Sequence, residues 1–335
     1  MKLNTDLYDP ADLTGYARRD VEEWERSKGT LAQFLPNITV DDISVRFAKG
    51  NRGMTPLAEF RAYDAETAIA GGARGERVTV DMPALGLKTR ISEEDQLRSR
   101  SASTDVRLNT IESTAEQNVR AVANRMELAR GQVLATGVLT IDQDDFKSTV
   151  DFGRDPAMNA VAATLWNQTG ATILDDLEAW QATYVDTNNG EEPAVALVSQ
   201  KLISTLARSD EFRALAKNST DVSLVSVEFI NDVLSSFGFP RLQKFDRKVG
   251  GVRVLPENKI LFLPESPESG LGSSAWGVTL EADKPTYGIA EEDRPGIVVG
   301  TYENEDPEGI WVRSAAIGMP ILANPNLAMV AQVIA

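Results

Sequence analysis

The 335-residue sequence contains no cysteine and no histidine. Without cysteine, the chain can form no disulfide, no thiolate metal site and no cysteine nucleophile. Without histidine, it can build no Ser-His-Asp triad, no Cys-His dyad and no imidazole ligand set for a metal. These two absences exclude much of the common enzyme repertoire and leave carboxylate and lysine chemistry open.

Positive charge is also scarce, because 34 Lys and Arg residues stand against 50 Asp and Glu residues, for a formal net charge of −16. A protein that recognises a nucleic-acid sequence usually presents a basic face, so this balance argues against one. The acidic surplus either serves solubility or suits a protein that lies near DNA without adhering to it.

Long hydrophobic runs are rare, and the run that ends the sequence is interrupted. Ser314–Ala335 carries no charge and has the length of a membrane-spanning helix, about 20 residues. Pro320 and Pro325 would break such a helix, because proline lacks the backbone donor. We predict two short buried strands instead, Ile310–Ile317 and Leu327–Ile334, joined by a bend. The start of the sequence likewise lacks the apolar core of a signal peptide, which predicts a cytoplasmic product.

The first 95 residues predict an arm followed by a long hairpin. Residues 1–40 have the composition of an arm without its own core, which orders against a partner, with one short helix in "VEEWERSKGTLAQFLPN". In residues 41–95, apolar residues alternate at period two in "DISVRFAK", "ERVTVDM" and "LGLKTRI". Gly71, Gly72 and Gly75 supply a turn between the strands. Because an isolated hairpin is marginally stable, we expect this one to rest on another surface.

The strongest helix signal lies over residues 104–136. An apolar stripe recurs at steps of three and four residues, and Gly137 is a plausible stop. At about 1.5 Å per residue the helix is roughly 50 Å long. The stripe favours packing on a flat surface such as a sheet, with a coiled coil as the alternative. Its members include Ile111, Ala115, Val119, Val122 and Met126.

Four arginines on the same helix lie mostly off this stripe: Arg107, Arg120, Arg125 and Arg130. One interpretation is a solvated polar face with internal pairs such as Glu116–Arg120. The other is contact with acidic neighbours or nucleic acid.

Residues 156–295 alternate helix and strand and predict a separate α/β domain. Helices are indicated in "ATILDDLEAWQATYV", "SQKLISTLARSDEFRALAK" and "SVEFINDVLSSFGFP", and strands in "PAVALVS", "GGVRVLP" and "NKILFLP". On the first helix Ile173, Leu177, Trp180 and Tyr184 share one face.

No residue pattern predicts a catalytic, cofactor-binding or metal-binding site. Adjacent acidic pairs point to opposite sides of a strand and do not oppose each other across a cleft. "DQDD" at 142–145 lacks the glycine and the closing glutamate of a calcium loop. "GGARGE" lacks the Gly-Lys-Ser/Thr of a phosphate loop.

This order of elements resembles the major capsid protein of tailed bacteriophages, in particular the lambda-type coat protein of the major capsid protein E family. Four segments carry the resemblance: "FLPNITVDDISVRF", "RVTVDMPALGLKTRISEED", "NVRAVANRMELARGQVLATG" and "GIWVRSAAIGMPILANPNLAMVAQVIA". The segment "WGVTLEADKPTYG" is also similar. The resemblance extends over nearly the whole chain.

The resemblance implies an α+β fold with the domains of a tailed-phage capsid subunit. It predicts an N-terminal arm at 1–40, an extended β-hairpin loop at 41–95, a peripheral domain at 96–154 and 296–335, and an axial domain at 155–295. The helix at 104–136 would be the spine helix of the peripheral domain, on whose sheet the last strand would also lie. The loop tip, with Gly71, Gly72, Arg74 and Gly75, would contact another subunit.

The implied function is structural, without enzymatic activity or cofactor. Such a coat protein self-assembles through hexamers and pentamers into an icosahedral shell that encloses double-stranded DNA. Implied partners are further copies, a portal, a separate scaffold and a candidate decoration protein. The DNA would be held only by weak, non-specific contact, and no membrane is involved. The implied location is the virion, and the host cytoplasm during assembly.

Two alternatives stay open. A host nanocompartment shell of the same fold would enclose enzymes instead of DNA. A carboxylate-dependent hydrolase would need two acidic groups that meet in a concave pocket.

Overall fold

The computed structural model describes residues 2–49, 76–98, 104–143, 146–216, 224–265, 269–306 and 308–335. Both helix and sheet are abundant, which confirms the α+β class. The chain divides into two compact units. Unit 1 combines Met1–Arg46, Thr79–Arg130 and Ser273–Ile321, and unit 2 combines Phe47–Val78, Gly131–Gly272 and Leu322–Ala335.

The described residues form eight α-helices and seventeen strands, besides short 3-10 turns. The helices α1–α8 are, in order, Pro10–Lys28, Glu93–Arg98, Thr104–Thr136, Ile173–Thr187, Gln200–Leu206, Asp210–Leu215, Val227–Ser236 and Leu280–Asp283. The strands β1–β17 are, in order, Lys2–Leu3, Asn37–Thr39, Ser44–Lys49, Glu76–Asp81, Ala84–Ser92, Val138–Gln143, Phe146–Asp151, Asn159–Val161, Val195–Val198, Arg241–Lys244, Lys248–Val249, Val252–Arg253, Lys259–Leu263, Gly272–Gly277, Val298–Glu305, Glu308–Leu322 and Met329–Gln332.

Unit 1 is built on a six-stranded sheet. Its order is β1-β15-β16-β14-β2, with β5 paired to β16 off this path. The long strand β16 is antiparallel to β15 along residues 308–315 and to β5 along residues 309–317. At one edge β2 runs parallel to β14. The sheet therefore joins segments from the start, the middle and the end of the sequence.

The predicted long hairpin is correct for two of its three strand segments. β3 and β4 form a two-stranded sheet of their own. β5 was predicted to continue the hairpin, and this was wrong, because it pairs over nine residues with β16. Leu85 and Ile91 on β5 pack into the core of unit 1, so their period-two alternation reflects a covered sheet face. The predicted tip residues Gly71, Gly72 and Gly75 lie outside the described residues, as does Arg74.

Helix α3 has the predicted bounds, 104–136. It stops at Gly137, whose φ of 74° is left-handed and whose N–H donates to the Val133 carbonyl at 2.8 Å. The buried Arg154 donates from Nη2 to the carbonyls of Val133 and Leu134, at 3.0 and 2.7 Å. A cation thus satisfies the last carbonyls of the helix. Burial lowers the pKa of Arg154 to about 10.

The N-terminal segment differs from its prediction as a coreless arm with one short helix. Helix α1 begins after Asp9, whose side chain accepts the Ala11 N–H at 2.8 Å, with Pro10 in its first turn. Thr14 Oγ1 donates to the Val299 carbonyl at 3.1 Å and accepts the Val299 N–H at 3.0 Å. The helix therefore packs on the sheet of its own chain, and the Asp-Pro start signal was overlooked.

Unit 2 is built on a five-stranded sheet of order β10-β9-β13-β17-β8. Helix α4 buries Ile173, Leu177, Trp180 and Tyr184, the face that the sequence predicts. Helix α7 is capped by Ser226, whose Oγ accepts the N–H of the third residue after it at 3.2 Å.

One predicted helix of unit 2 is divided into α5 and α6. Ser209 separates them, because its Oγ donates to the Leu206 carbonyl at 2.8 Å and accepts the Phe212 N–H at 3.4 Å. A serine of this kind ends one helix and caps the next.

The end of the chain also differs from its prediction. β16 continues past Ile317 and through Pro320, where a bend was expected. Pairing with β5 ends at Ile317, so the missing N–H of Pro320 breaks no hydrogen bond on that side. The last strand was predicted to lie in the sheet under the long helix. It lies in the sheet of unit 2, between β13 and β8.

Candidate assembly surfaces

The apolar stripe of α3 is buried against unit 1. Ile111, Ala115, Val119, Val122 and Met126 are each at most 4% exposed. They share one core cluster with apolar residues of α1 and of the sheet strands β5, β14, β15 and β16. The close approach of small residues places the helix flat on its neighbours. The stripe thus anchors α3 in the core of unit 1.

A polar seam joins α1, with Tyr8 before it, to α3. Its hydrogen bonds run from Tyr8 to Glu112 at 2.8 Å, from Tyr16 to Glu116 at 2.5 Å, and from Arg120 to Asp20 at 2.5 Å. Partner numbers rise together along both segments, so α1 and α3 run in the same direction. We call these residues the α1–α3 seam: Tyr8, Tyr16, Asp20, Glu112, Glu116 and Arg120.

Two tyrosines of the seam have altered acidity. Burial, and then the hydrogen bond to Glu112, raises the pKa of Tyr8 to about 12. The hydrogen bond to Glu116, and then burial, raises the pKa of Tyr16 to about 12. Each carboxylate accepts the phenolic proton and opposes a second negative charge beside it.

Three of the four arginines predicted to lie off the stripe have three different environments. Arg120 pairs with Asp20 and, at 3.5 Å, with Glu116, the internal pair that the sequence suggested. Arg125 is half-buried and forms no ion pair with any described residue. Arg130 departs from the prediction, because its side chain is 0% exposed.

Arg130 lies at the centre of a buried polar cluster. Its Nη1 donates to Glu25 at 2.7 Å, its Nη2 to Asn37 at 2.6 Å, and its Nε to Ser274 at 2.8 Å. Glu127, 3.3 Å from Arg130 Nη1, also accepts a backbone N–H of the N-terminal segment. We call Glu25, Asn37, Glu127, Arg130 and Ser274 the Arg130 cluster. It fixes the segment after α1 to α3 and β14.

The Arg130 cluster was missed although the sequence contained a signal for it. Arg130 follows Met126 by four residues and precedes Val133 by three, which places it on the apolar stripe itself. A charged residue at a core position needs buried partners. Their identity could not be predicted, since Glu25 and Asn37 are about a hundred residues away.

The base of the β3–β4 hairpin is capped by Asp42. Its carboxylate accepts the N–H groups of Ile43 and Ser44, at 2.7 and 3.4 Å. These backbone donors, the Ile43 bond above all, hold the pKa of Asp42 below its usual value. The Met82 N–H donates to the Ile43 carbonyl at 2.8 Å, which closes the base of the hairpin. The contacts of Asp42 and Met82 therefore fix the base of the hairpin.

Several large apolar side chains are more than half exposed. In unit 1 these include Ile43 and Leu280, and in unit 2 Val161, Phe237 and Val252. Single exposed apolar side chains are normal on protein surfaces, so these residues do not by themselves mark an interface.

Other kinds of site find little support in the described ranges. They contain no group of three or more acidic residues placed to hold a metal ion. None of their helices is both long enough and apolar enough to cross a bilayer.

Comparison with known proteins identifies the family. The family model described as phage major capsid protein E matches residues 30–333. No curated protein sequence matches the chain.

Two solved structures share the fold. One is a prophage protein from E. coli CFT073 assigned as its capsid protein, with a TM-score of 0.64 and 15% identity, covering 98% of this chain and 99% of that one. The other is a phage-related protein from Bordetella bronchiseptica RB50, with a TM-score of 0.60 and 12% identity, covering 99% and 97%.

The family match includes both units and excludes only the first 29 and the last two residues. The match rules against the hydrolase alternative, because the family consists of structural virion proteins and not of enzymes. The chain belongs to the phage major capsid protein E family.

Proposed function

We propose that copies of this chain assemble through hexamers and pentamers into a closed icosahedral shell around phage double-stranded DNA. The observation that carries the proposal is the family match over residues 30–333. The fold shared with two phage-related proteins over almost the whole chain supports it.

The geometry suits a subunit that is repeated many times. The stripe of α3, the α1–α3 seam and the Arg130 cluster make unit 1 a stiff body. Stiff bodies lose little conformational entropy on docking, so modest interfaces suffice when each recurs around a closed shell.

The β3–β4 hairpin is the feature that most needs a partner. Among the described residues these two strands pair only with each other. Phe47 on β3 packs against Phe152 of the same chain, with ring centroids 5.7 Å apart. Because a two-stranded sheet with so little ring contact is marginal, we propose that the hairpin also lies across a neighbouring copy. The division into arm, extended loop, peripheral and axial domains remains part of this proposal.

The charge balance bears on the contents of the shell. With a net charge of −16, the subunit as a whole repels phosphate, so packed DNA would be held only weakly. The proposed partners are further copies, a portal, a separate scaffold and a candidate decoration protein. Assembly would take place in the host cytoplasm and end in the virion.

Electron microscopy of the purified full chain, alone and co-expressed with the scaffold, tests assembly. We expect closed particles with five-fold and six-fold capsomers. A chain that stays monomeric over a hundredfold concentration range in both settings contradicts the proposal.

Nuclease protection tests the contents. Particles from phage-producing cells are expected to protect double-stranded DNA of genome length. Particles that lack DNA and hold an enzyme would identify a nanocompartment shell instead.

A further inference from the structure

The two ends of α4 in unit 2 differ in charge and in shape. A cleft of about 900 Å³ opens beside the start of the helix. The turn 188–192 follows its end and carries two exposed glutamates. The cleft wall carries basic side chains, whose charge is opposite to that of the turn.

The cleft is lined by three basic residues and one acidic residue. Arg213 pairs with Asp210, and Lys201 Nζ lies 3.5 Å from Glu257, a long ion pair. The exposed Arg208 forms no ion pair within the described part of the chain. The cleft therefore contains at least one cation, that of Arg208, without an acidic partner in the described part of the chain.

The helix end beside the cleft is already occupied. Glu211 accepts the N–H groups of Ile173 and Leu174, at 2.7 and 3.3 Å. A partner would therefore be recognised by the side chains of α5, of α6 and of the turn between them, which carries Arg208. The lining, from Trp166 to Ala171 on one side and from Lys201 to Arg213 on the other, adds hydroxyl and amide groups. At this volume the cleft matches the largest small-ligand pockets, so it has room for a short loop.

The turn after α4 is rigid. Asn189 and Gly190 are both left-handed, with φ of 58° and 88°. The Gly190 N–H donates to the Val185 carbonyl at 2.9 Å, and the Glu191 N–H to the Asn188 carbonyl at 3.2 Å. We call Asn189–Glu192 the acidic tip.

Two hydrogen bonds to the segment 326–327 hold the end of α4, from which the acidic tip projects. Asn188 Nδ2 donates to the Asn326 carbonyl, and Tyr184 Oη to the Leu327 carbonyl, at 3.0 and 3.1 Å. A preformed tip loses little entropy on binding. Glu191 and Glu192 are exposed and form no ion pair with described residues.

We propose that the acidic tip of one copy docks in the cleft beside α4 of a second copy. Helix α4 has 15 residues and is about 22 Å long, so cleft and tip of one copy cannot meet. Two different surfaces that match head to tail form a heterologous contact, which closes into a ring when the rotation permits. The inference rests on the proposed shell function and names one contact within its capsomers.

Charge reversal on the full chain tests this contact. One variant combines Lys201→Glu with Arg208→Glu in the cleft. The other combines Glu191→Lys with Glu192→Lys in the acidic tip. Each places like charges together at the proposed contact. Each pair is expected to raise the critical concentration for assembly about tenfold or more, measured by sedimentation. Combining both pairs restores opposite charges and should recover most of the loss. The matched controls are Glu178→Lys on the middle of α4 and Arg241→Glu on β10, both exposed, which should leave assembly unchanged.

Each outcome decides the inference separately from the proposed function. Wild type that assembles, with charge-reversed variants that assemble equally well, overturns the tip-cleft contact and leaves the shell intact. Wild type that never assembles overturns the shell itself. A cleft variant that assembles normally but retains less DNA would overturn the contact and identify a phosphate site. If a reversed variant does not fold, Lys201→Gln with Arg208→Gln takes its place, with a smaller expected loss in the same direction.

Discussion

Arg120 and Arg130 lie on the same helix, ten residues apart, and both bind carboxylates of the segment that precedes the hairpin. Their environments are opposite. Arg120 is 37% exposed and pairs with Asp20 in the α1–α3 seam, whereas Arg130 is 0% exposed within the Arg130 cluster. The same kind of arginine–carboxylate pair is therefore partly exposed to solvent at one position of the helix and fully buried at another.

The comparison shows that exposure decides the worth of an ion pair. Water screens the seam, where an exposed pair contributes about 0.2–1 kcal/mol. In the cluster, the net gain of the pairs is offset by desolvation, but removing one partner leaves buried charge without compensation. The seam aligns α1 and α3, whereas loss of any charged partner in the Arg130 cluster destabilises the fold.

The largest expected effect comes from Arg130→Ala. Glu25 and Glu127 would remain buried without their cation, at a cost of about 3–5 kcal/mol in the free energy of unfolding. Urea denaturation measures this loss. Arg125→Ala, which breaks no ion pair with described residues, is the control and should change stability by less than about 0.5 kcal/mol. Similar losses in both variants would show that the Arg130 cluster has no special role.

The next effect concerns Gly131, beside Arg130. A Cβ there would lie 2.2 Å from the Val254 carbonyl oxygen, so Gly131→Ala forces the backbone apart. We expect a loss of about 2–3 kcal/mol from overpacking.

The same substitution in α1 should have the opposite sign. A Cβ at Gly15 meets nothing within 4 Å, so Gly15→Ala should gain about 0.5–1 kcal/mol from helix propensity. Thermal unfolding of both variants checks the difference, and equal shifts in Tm would contradict the close approach at Gly131.

A smaller effect is expected for Arg120→Ala in the seam. Loss of the Asp20 pair should cost about 0.2–1 kcal/mol and should matter less at 1 M salt than at 0.1 M. Urea denaturation at the two salt concentrations provides the measurement. A loss above 2 kcal/mol that salt does not change would place Arg120 in the same class as Arg130.

The smallest effect appears only at high pH. Tyr8 and Tyr16 have pKa values near 12 in the folded chain, against an ordinary value of about 10. The unfolded chain therefore releases these protons first, so their contribution is complete below pH 10 and is lost as the pH rises towards 12. Tyr8→Phe with Tyr16→Phe should flatten the fall of stability between pH 10 and 12. An unchanged slope would show that the seam does not titrate.

The sequence predicted α3 and its stripe well, because local spacing and a glycine stop determine a long helix. It predicted the helices α4 and α7 for the same reason. It failed where a residue's partner is distant in sequence. β5 was misplaced because alternation shows that a strand has a covered face, but not which strand lies beside it.

The candidate contacts were less predictable. Arg130 was assigned to the polar face of the helix, although its spacing placed it on the apolar stripe. The cleft beside α4 depends on Ser209 dividing a predicted single helix, and its shape could not be derived from the sequence. The acidic tip was visible only as an ordinary charged turn.

The long reach of the sheet in unit 1 has a consequence for biosynthesis. Thr14 bonds to Val299 across 285 residues, and the sheet of unit 2 is held by β17 near residue 330. Neither sheet can close before the strands of residues 298–332 are available to pair. The subunit therefore folds through contacts of high sequence separation, which form slowly. A cell that makes many copies at once thus starts with immature chains, and the supply of finished ones follows with a delay.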